Sequence, residues 1–103
     1  KIGRATATHL ILGYACEALG DRAAAGANFE ASAALARKMG DNARLSFALN
    51  ALGGHHSEVN DLDAAEPLLE EALALSREAD DAETIAMHCV NLARVVVERG
   101  DAE

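Results

Sequence analysis

The stretch GDRAAAGANFEASAALARKMGD, Gly20–Asp41, begins and ends with the same pair of residues. Pairs of the same character follow at Asn60-Asp61, Asp80-Asp81 and Gly100-Asp101, so turn-forming pairs stand on a regular twenty-residue grid. Gly and Asn suit the left-handed residue that ends a helix. The Asp behind each of them can accept hydrogen bonds from the free N–H groups that start the next one. The grid therefore predicts successive helices with tight turns near residues 20, 40, 60, 80 and 100.

Shifted by forty positions, the sequence matches itself. Ala24-Ala25 falls on Ala64-Ala65, Phe29-Glu30 on Leu69-Glu70, Leu35 on Leu75 and Arg37 on Arg77. The segments between repeat as well, around Leu12-Gly13, Leu52-Gly53 and Leu92-Ala93. A fixed period of this size marks stacked repeats. Each half-period carries a helical apolar face: Leu45, Ala48-Leu49, Leu52, His56 and Val59 in one, and Ala65, Leu68-Leu69, Ala72, Leu75-Ser76 and Ala79 in the next. The predicted helices span 2–19, 22–39, 43–59, 63–79 and 83–99, paired as antiparallel hairpins. Asp63-Ala64-Ala65-Glu66 reads as a capping-box start. Pro67 predicts a bend or a late start in the fourth helix. Arg94–Val97 has strand propensity alone, but the repeat register assigns it to the fifth.

Half the residues are apolar and only 3% aromatic, so alanine and leucine carry the core of an all-α domain. A net charge of −8 excludes direct binding to nucleic acid or to an anionic membrane, and no apolar run is long enough to span a bilayer. Cys16 and Cys89 are expected to be buried and reduced, as in a cytoplasmic protein. The chain opens on Lys1 without a signal sequence, and the turn pair Gly100-Asp101 stands just before its end. It therefore reads as one domain, 1–103, of a longer protein, with repeats 1–40 and 41–80 and an incomplete third at 81–103.

The pattern Leu49-x-x-Leu52-Gly53-x-x-His56 followed by Ala65-x-x-x-Leu69 resembles the tetratricopeptide repeat, as do His9, Leu12, Gly13, Cys16, Ala25 and Phe29 in the first copy. Cys89, Leu92, Ala93 and Val96 continue it in the third. The aromatic slots of the first helix hold no aromatic, and the usual proline near the repeat end is absent. The forty-residue period is similar to that of repeats in bacterial signalling regulators and in eukaryotic spindle-orientation adaptors, and the alanine-rich, arginine-over-lysine composition favours the former. The resemblance implies a right-handed α-solenoid of five helices, two and a half repeats, that binds proteins or peptides without catalysis.

Residues of chemical interest support no enzyme, cofactor or metal site. His55 and His56 point about 100° apart on a helix, so one face cannot present both to a metal; His56 is expected between helices and His55 in solvent. Gly53-Gly54 lacks the Lys and Ser/Thr of a phosphate loop and reads instead as room for close helix approach. No Ser, His and acid recur in a nucleophile context.

In the resembled family, ligands lie along the inner groove. Its slots fall on Tyr14 and Glu17 in the first helix, with Ala7, Leu10 and Ile11. In the third they fall on Phe47, Asn50, Ser57 and Glu58, with Ala51 and Gly54. In the fifth they fall on Met87, Asn91, Arg94 and Glu98, with Val90 and Val97. One Arg against three Glu argues against a C-terminal carboxylate as ligand. A protein or peptide partner is the leading expectation. The alternative is a small effector that regulates an attached ATPase or DNA-binding module. The nearly all-round apolar fifth helix further predicts a homodimer through Ile85, Cys89, Leu92, Val95 and Val96.

Overall fold

The computed structural model describes the backbone of residues 2–102 and the side chains of residues 4–100. Five helices follow one another: α1 (Ile2–Ala18), α2 (Arg22–Met39), α3 (Asn42–Glu58), α4 (Leu62–Ala79) and α5 (Ala82–Ala102). No strand occurs among the described residues.

The four turns share one construction. Gly20, Gly40, Asn60 and Asp80 take φ values of 83°, 70°, 63° and 56°. Each donates its N–H to the carbonyl three residues back, as from Gly20 to Glu17 at 3.0 Å and from Gly40 to Arg37 at 3.1 Å. The following Asp donates to the carbonyl five back, as from Asp21 to Cys16 at 2.8 Å and from Asp61 to His56 at 2.8 Å. This is the Schellman arrangement, which satisfies carbonyls orphaned at a helix end. The same Asp then begins the next helix. Asp21, Asp41, Asp61 and Asp81 accept from the N–H groups of Ala24, Arg44, Ala64 and Thr84 at 3.1, 3.1, 3.3 and 3.4 Å. One residue thus closes a helix and caps its successor, which is why the grid is regular.

Three local expectations are corrected. The N-cap of α4 is Asp61, not Asp63; Asp63 lies in the first turn and pairs with Arg99 at 2.9 Å. Helix α4 starts at Leu62 and runs unbroken through Pro67, so of the bend or late start expected there the late start does not occur. Loss of one N–H near a helix start is tolerated when the surrounding bonds hold. Helix α5 continues through Gly100 to Ala102.

Hairpins α1/α2 and α3/α4 are the closest pairs; α2 packs on α3 and α4 on α5. The molecule is only 20 Å thick, about two helix diameters. Helices α1, α3 and α5 approach one another, whereas no Cα of α2 comes within 8 Å of one in α4. The first helix of each repeat therefore lines the inner curve and the second lies outside. Arg37 spans the outer gap with a two-pronged ion pair to Glu71, at 2.9 and 3.1 Å. The core is built of small residues around a few large ones. Ala33, Ala36, Leu45, Ala48, Leu49 and Ala72 form its centre. Ala25 and Phe29 meet Ala51 and Leu52 on one side of it, and Ala65, Leu69 and Val95 meet on the other.

The open face expected on α5 is corrected at Val95, which is fully buried against Ala65 and Leu69. Its slot matches that of His55, the position that turns back toward the preceding second helix. Ile85, Cys89 and Leu92 are half-buried, and Val96 is exposed. The corresponding Leu45, Leu49 and Leu52 of α3 are buried, because α4 covers them. Cys16 and Cys89 are free thiols, half-buried and not buried as expected.

Candidate functional site

Two clefts lie along the inner face. The first, of about 160 Å³, is lined by Tyr14 and Glu17 of α1, by Asn50, Ala51, Gly54, His55 and Glu58 of α3, and by Asn91 and Arg94 of α5. Eight residues expected in the groove from the sequence, all those lining this cleft but His55, thus converge from three helices. The second, of about 280 Å³, is apolar and lined by Thr6, Ala7, Leu10, Arg44 and Phe47. Phe47 therefore belongs to the groove, but to its apolar end. Ser57, Met87 and Glu98 line neither cleft.

Helical spacing explains the convergence. Ala7, Leu10, Tyr14 and Glu17 repeat at three- and four-residue steps, as do Phe47, Asn50, Gly54 and Glu58, and Asn91 with Arg94. Each set forms one stripe, and the three stripes face the same concavity. Asn91 Nδ2 donates to Asn50 Oδ1 at 3.0 Å, tying α5 to α3 across the floor. The Tyr14 ring packs edge-on against Phe29, with centroids 5.1 Å apart. Burial pushes the Tyr14 hydroxyl pKa up, and the nearby charge of Glu17 adds to the rise.

Glu17 is the electrostatic centre of the polar cleft. Burial holds its carboxyl above the usual range, Glu58 beside it raises it further, and a hydrogen bond with His55 partly opposes both. His55 Nδ1 stands 3.5 Å from Glu17 Oε2. This reverses the expected placing of the two histidines. His55 is buried, its ring edge-on to Phe29 with centroids 6.1 Å apart. His56 is half-buried at the end of α3, its Nδ1 3.7 Å from Asp61 Oδ2. Gly26 makes the room: a Cβ there would lie 2.9 Å from His55 Nε2. A glycine inside a helix and away from any turn was the available signal, since it marks a close approach.

Among the described residues, no group of three or more His, Cys, Asp or Glu side chains is placed to hold a metal ion. No helix among them is long and apolar enough to cross a membrane. The arrangement offers hydrogen-bonding amides, a carboxylate pair, one guanidinium and an apolar pocket, all on one curved face.

A family model described as tetratricopeptide repeat matches residues 3–78. Among curated proteins, none matches the chain.

Proposed function

The chain belongs to the tetratricopeptide repeat family, whose repeats mediate protein–protein interaction, and from that membership we propose that its inner groove binds a peptide or a neighbouring domain without catalysis. The observation that carries this reading is the convergence of Tyr14, Glu17, Asn50, Glu58, Asn91 and Arg94 on one cleft from three separate helices. Residues this far apart in sequence come together only on the inner curve. There the Asn50–Asn91 bond ties α3 to α5, and Tyr14 packs on Phe29. In the same reading the chain is the interaction region, 1–103, of a larger cytoplasmic regulatory protein of the bacterial signalling type. The forty-residue period and the alanine-rich composition support that context. Self-association through the side of α5 that α4 leaves open also belongs to it, now resting on Val96, Ile85, Cys89 and Leu92 without Val95.

Selection from a phage-displayed library of random peptides, followed by NMR mapping of the best binder, tests the groove. The expected result is perturbation of the amides of Tyr14, Asn50, Asn91 and Arg94. Perturbation confined to α2 and α4 would move binding to the outer face and sink the proposal.

A further inference from the structure

Helix α5 is anchored by few side chains. Among the described residues it buries three, Thr84, His88 and Val95, where α3 buries nine. The three stand four and seven residues apart and so form one stripe. Only Val95 among them is apolar. Thr84 is satisfied, because its hydroxyl donates to Asp81 Oδ2 at 2.6 Å. His88 is not: its ring is fully buried and neither nitrogen has a hydrogen-bond partner among the described residues. Forty positions earlier the matching slot holds Ala48, packed in the centre of the core. The stack therefore asks for a small apolar residue there and receives an imidazole instead. Such a group costs stability while unpartnered, and it is the side chain that changes charge near neutral pH.

The surroundings do not welcome a second proton on that ring. From α3 the uncharged ring of Phe47 faces it edge-on, with centroids 6.1 Å apart. The charged group that acts on it is Asp81, in the turn between α4 and α5, and no charged group of α3 or α4 among the described residues adds to it. The Asp81 carboxylate is committed to Thr84, accepting its hydroxyl at 2.6 Å and its N–H at 3.4 Å. A protonated His88 would thus be a buried cation without an acceptor, whereas with α5 lifted away the same cation stands in water. Burial accordingly holds its pKa below the ordinary 6.5, partly opposed by Asp81. As pH falls below 6.5 the open form takes up the proton first, and opening becomes easier until the closed value is passed.

The position of α5 makes its release local. It packs on α3 and α4 alone, and its other side is uncovered, with Val96 exposed and Ile85, Cys89 and Leu92 half-buried. It can leave without parting either hairpin. Yet it supplies Asn91 and Arg94 to the polar cleft, and Asn91 bonds to Asn50 across it. Phe47, on which His88 packs, lines the apolar cleft.

We propose that His88 is an acid-sensitive latch: on taking up a proton it releases α5 from α3 and α4 while the two hairpins stay folded, and the polar cleft loses Asn91 and Arg94. The consequence for binding rests on the groove reading above. A partner that needs all three inner helices binds only the closed form, so acid works against it and it in turn holds α5 down.

Native-state hydrogen exchange of the 103-residue chain, followed by NMR and corrected for the intrinsic amide rate at each pH, tests the latch. From pH 7.5 to 5.5 the opening equilibrium of the amides of Asn91, Leu92 and Val95 should rise by up to about tenfold, the factor for one proton gained at an ordinary pKa of 6.5. Amides of α1 and α2 should keep their protection. His88→Leu should abolish the pH response of α5. His88→Ala, which restores the residue of the matching slot, should do the same and serves if leucine does not fit. A response shared equally by all five helices would mean unfolding of the whole chain, and one that survives both variants would belong to another group; either result overturns the latch. The best binder from the library selection, at ten times its Kd, should slow the opening of α5 by about tenfold at both pH values. If that peptide binds and α5 opens as before, the link to the groove is overturned, and the latch is judged by the exchange without peptide.

Discussion

The ring of Phe29 lies directly against Gly13. A Cβ on Gly13 would fall within 3.0 Å of three ring atoms. The second repeat has the same relationship in smaller form, where a Cβ on Gly53 would lie 2.7 Å from two atoms of the Leu69 side chain. The absent side chain on the first helix is what lets the large residue of the second reach the core.

Gly13→Ala should therefore destabilise the chain by about 1–3 kcal/mol, the range for overpacking a filled site. A Cβ on Gly54, one residue beyond the matching contact, would meet no atom within 4 Å. Gly54→Ala should stabilise by about 0.5–1 kcal/mol through helix propensity. Urea denaturation reads both, and equal signs would contradict the packing described.

Asp41 accepts the N–H of Arg44 at 3.1 Å, and that bond, with the Arg44 side chain, holds its carboxyl below the ordinary value of 3.8. A carboxylate with a lowered folded pKa stabilises fully above its unfolded value. The contribution is lost as pH falls from there through the folded one. Asp41→Ala should cost about 1 kcal/mol at neutral pH, the usual worth of a cap. The difference from the unsubstituted chain should shrink below pH 3.8. Urea midpoints at pH 7 and in acid measure it; a constant difference would exclude the cap as its source.

His88 is fully buried on α5, its ring edge-on to Phe47 with centroids 6.1 Å apart, and neither ring nitrogen has a hydrogen-bond partner among the described residues. Burial pushes its pKa below the ordinary 6.5, partly opposed by Asp81. The unfolded chain then takes up its proton first, so stability falls as pH drops below 6.5 until the folded value is passed. Glu17, raised in the fold, acts in the opposite sense, so the comparison is with His88→Leu. Thermal unfolding between pH 7.5 and 5 should show a larger loss for the parent chain than for this variant. A parallel pH response would show that His88 takes no part.

Val96 is 48% exposed on α5, whereas Val95 beside it is fully buried. Val96→Glu should abolish self-association in sedimentation equilibrium and leave the melting temperature unchanged. Val95→Glu should lower the melting temperature sharply, because it buries a charge against Ala65 and Leu69. Equal self-association with and without Val96→Glu would place any contact elsewhere.

The sequence by itself determined the helices, their pairing and most of the residues that line the polar cleft. Turn chemistry is local: Gly20, Gly40 and Asn60 with the Asp after each specify both the end of one helix and the start of the next, wherever the helices then lie. The forty-residue period carried that local rule across the chain, and helical spacing then put Tyr14, Asn50 and Asn91 on facing stripes. Tertiary structure alone decided which of two adjacent side chains turns inward. His55 and His56 differ by about 100° around one helix, and the space opened by Gly26 on α2 draws in His55. Val95 and Val96 were settled in the same way, by where Ala65 and Leu69 of α4 stand. Periodicity places a face to within a residue or so; the volume left by the neighbouring helix chooses the residue. At Gly100-Asp101 the same kind of pair forms no turn, and α5 runs on to Ala102.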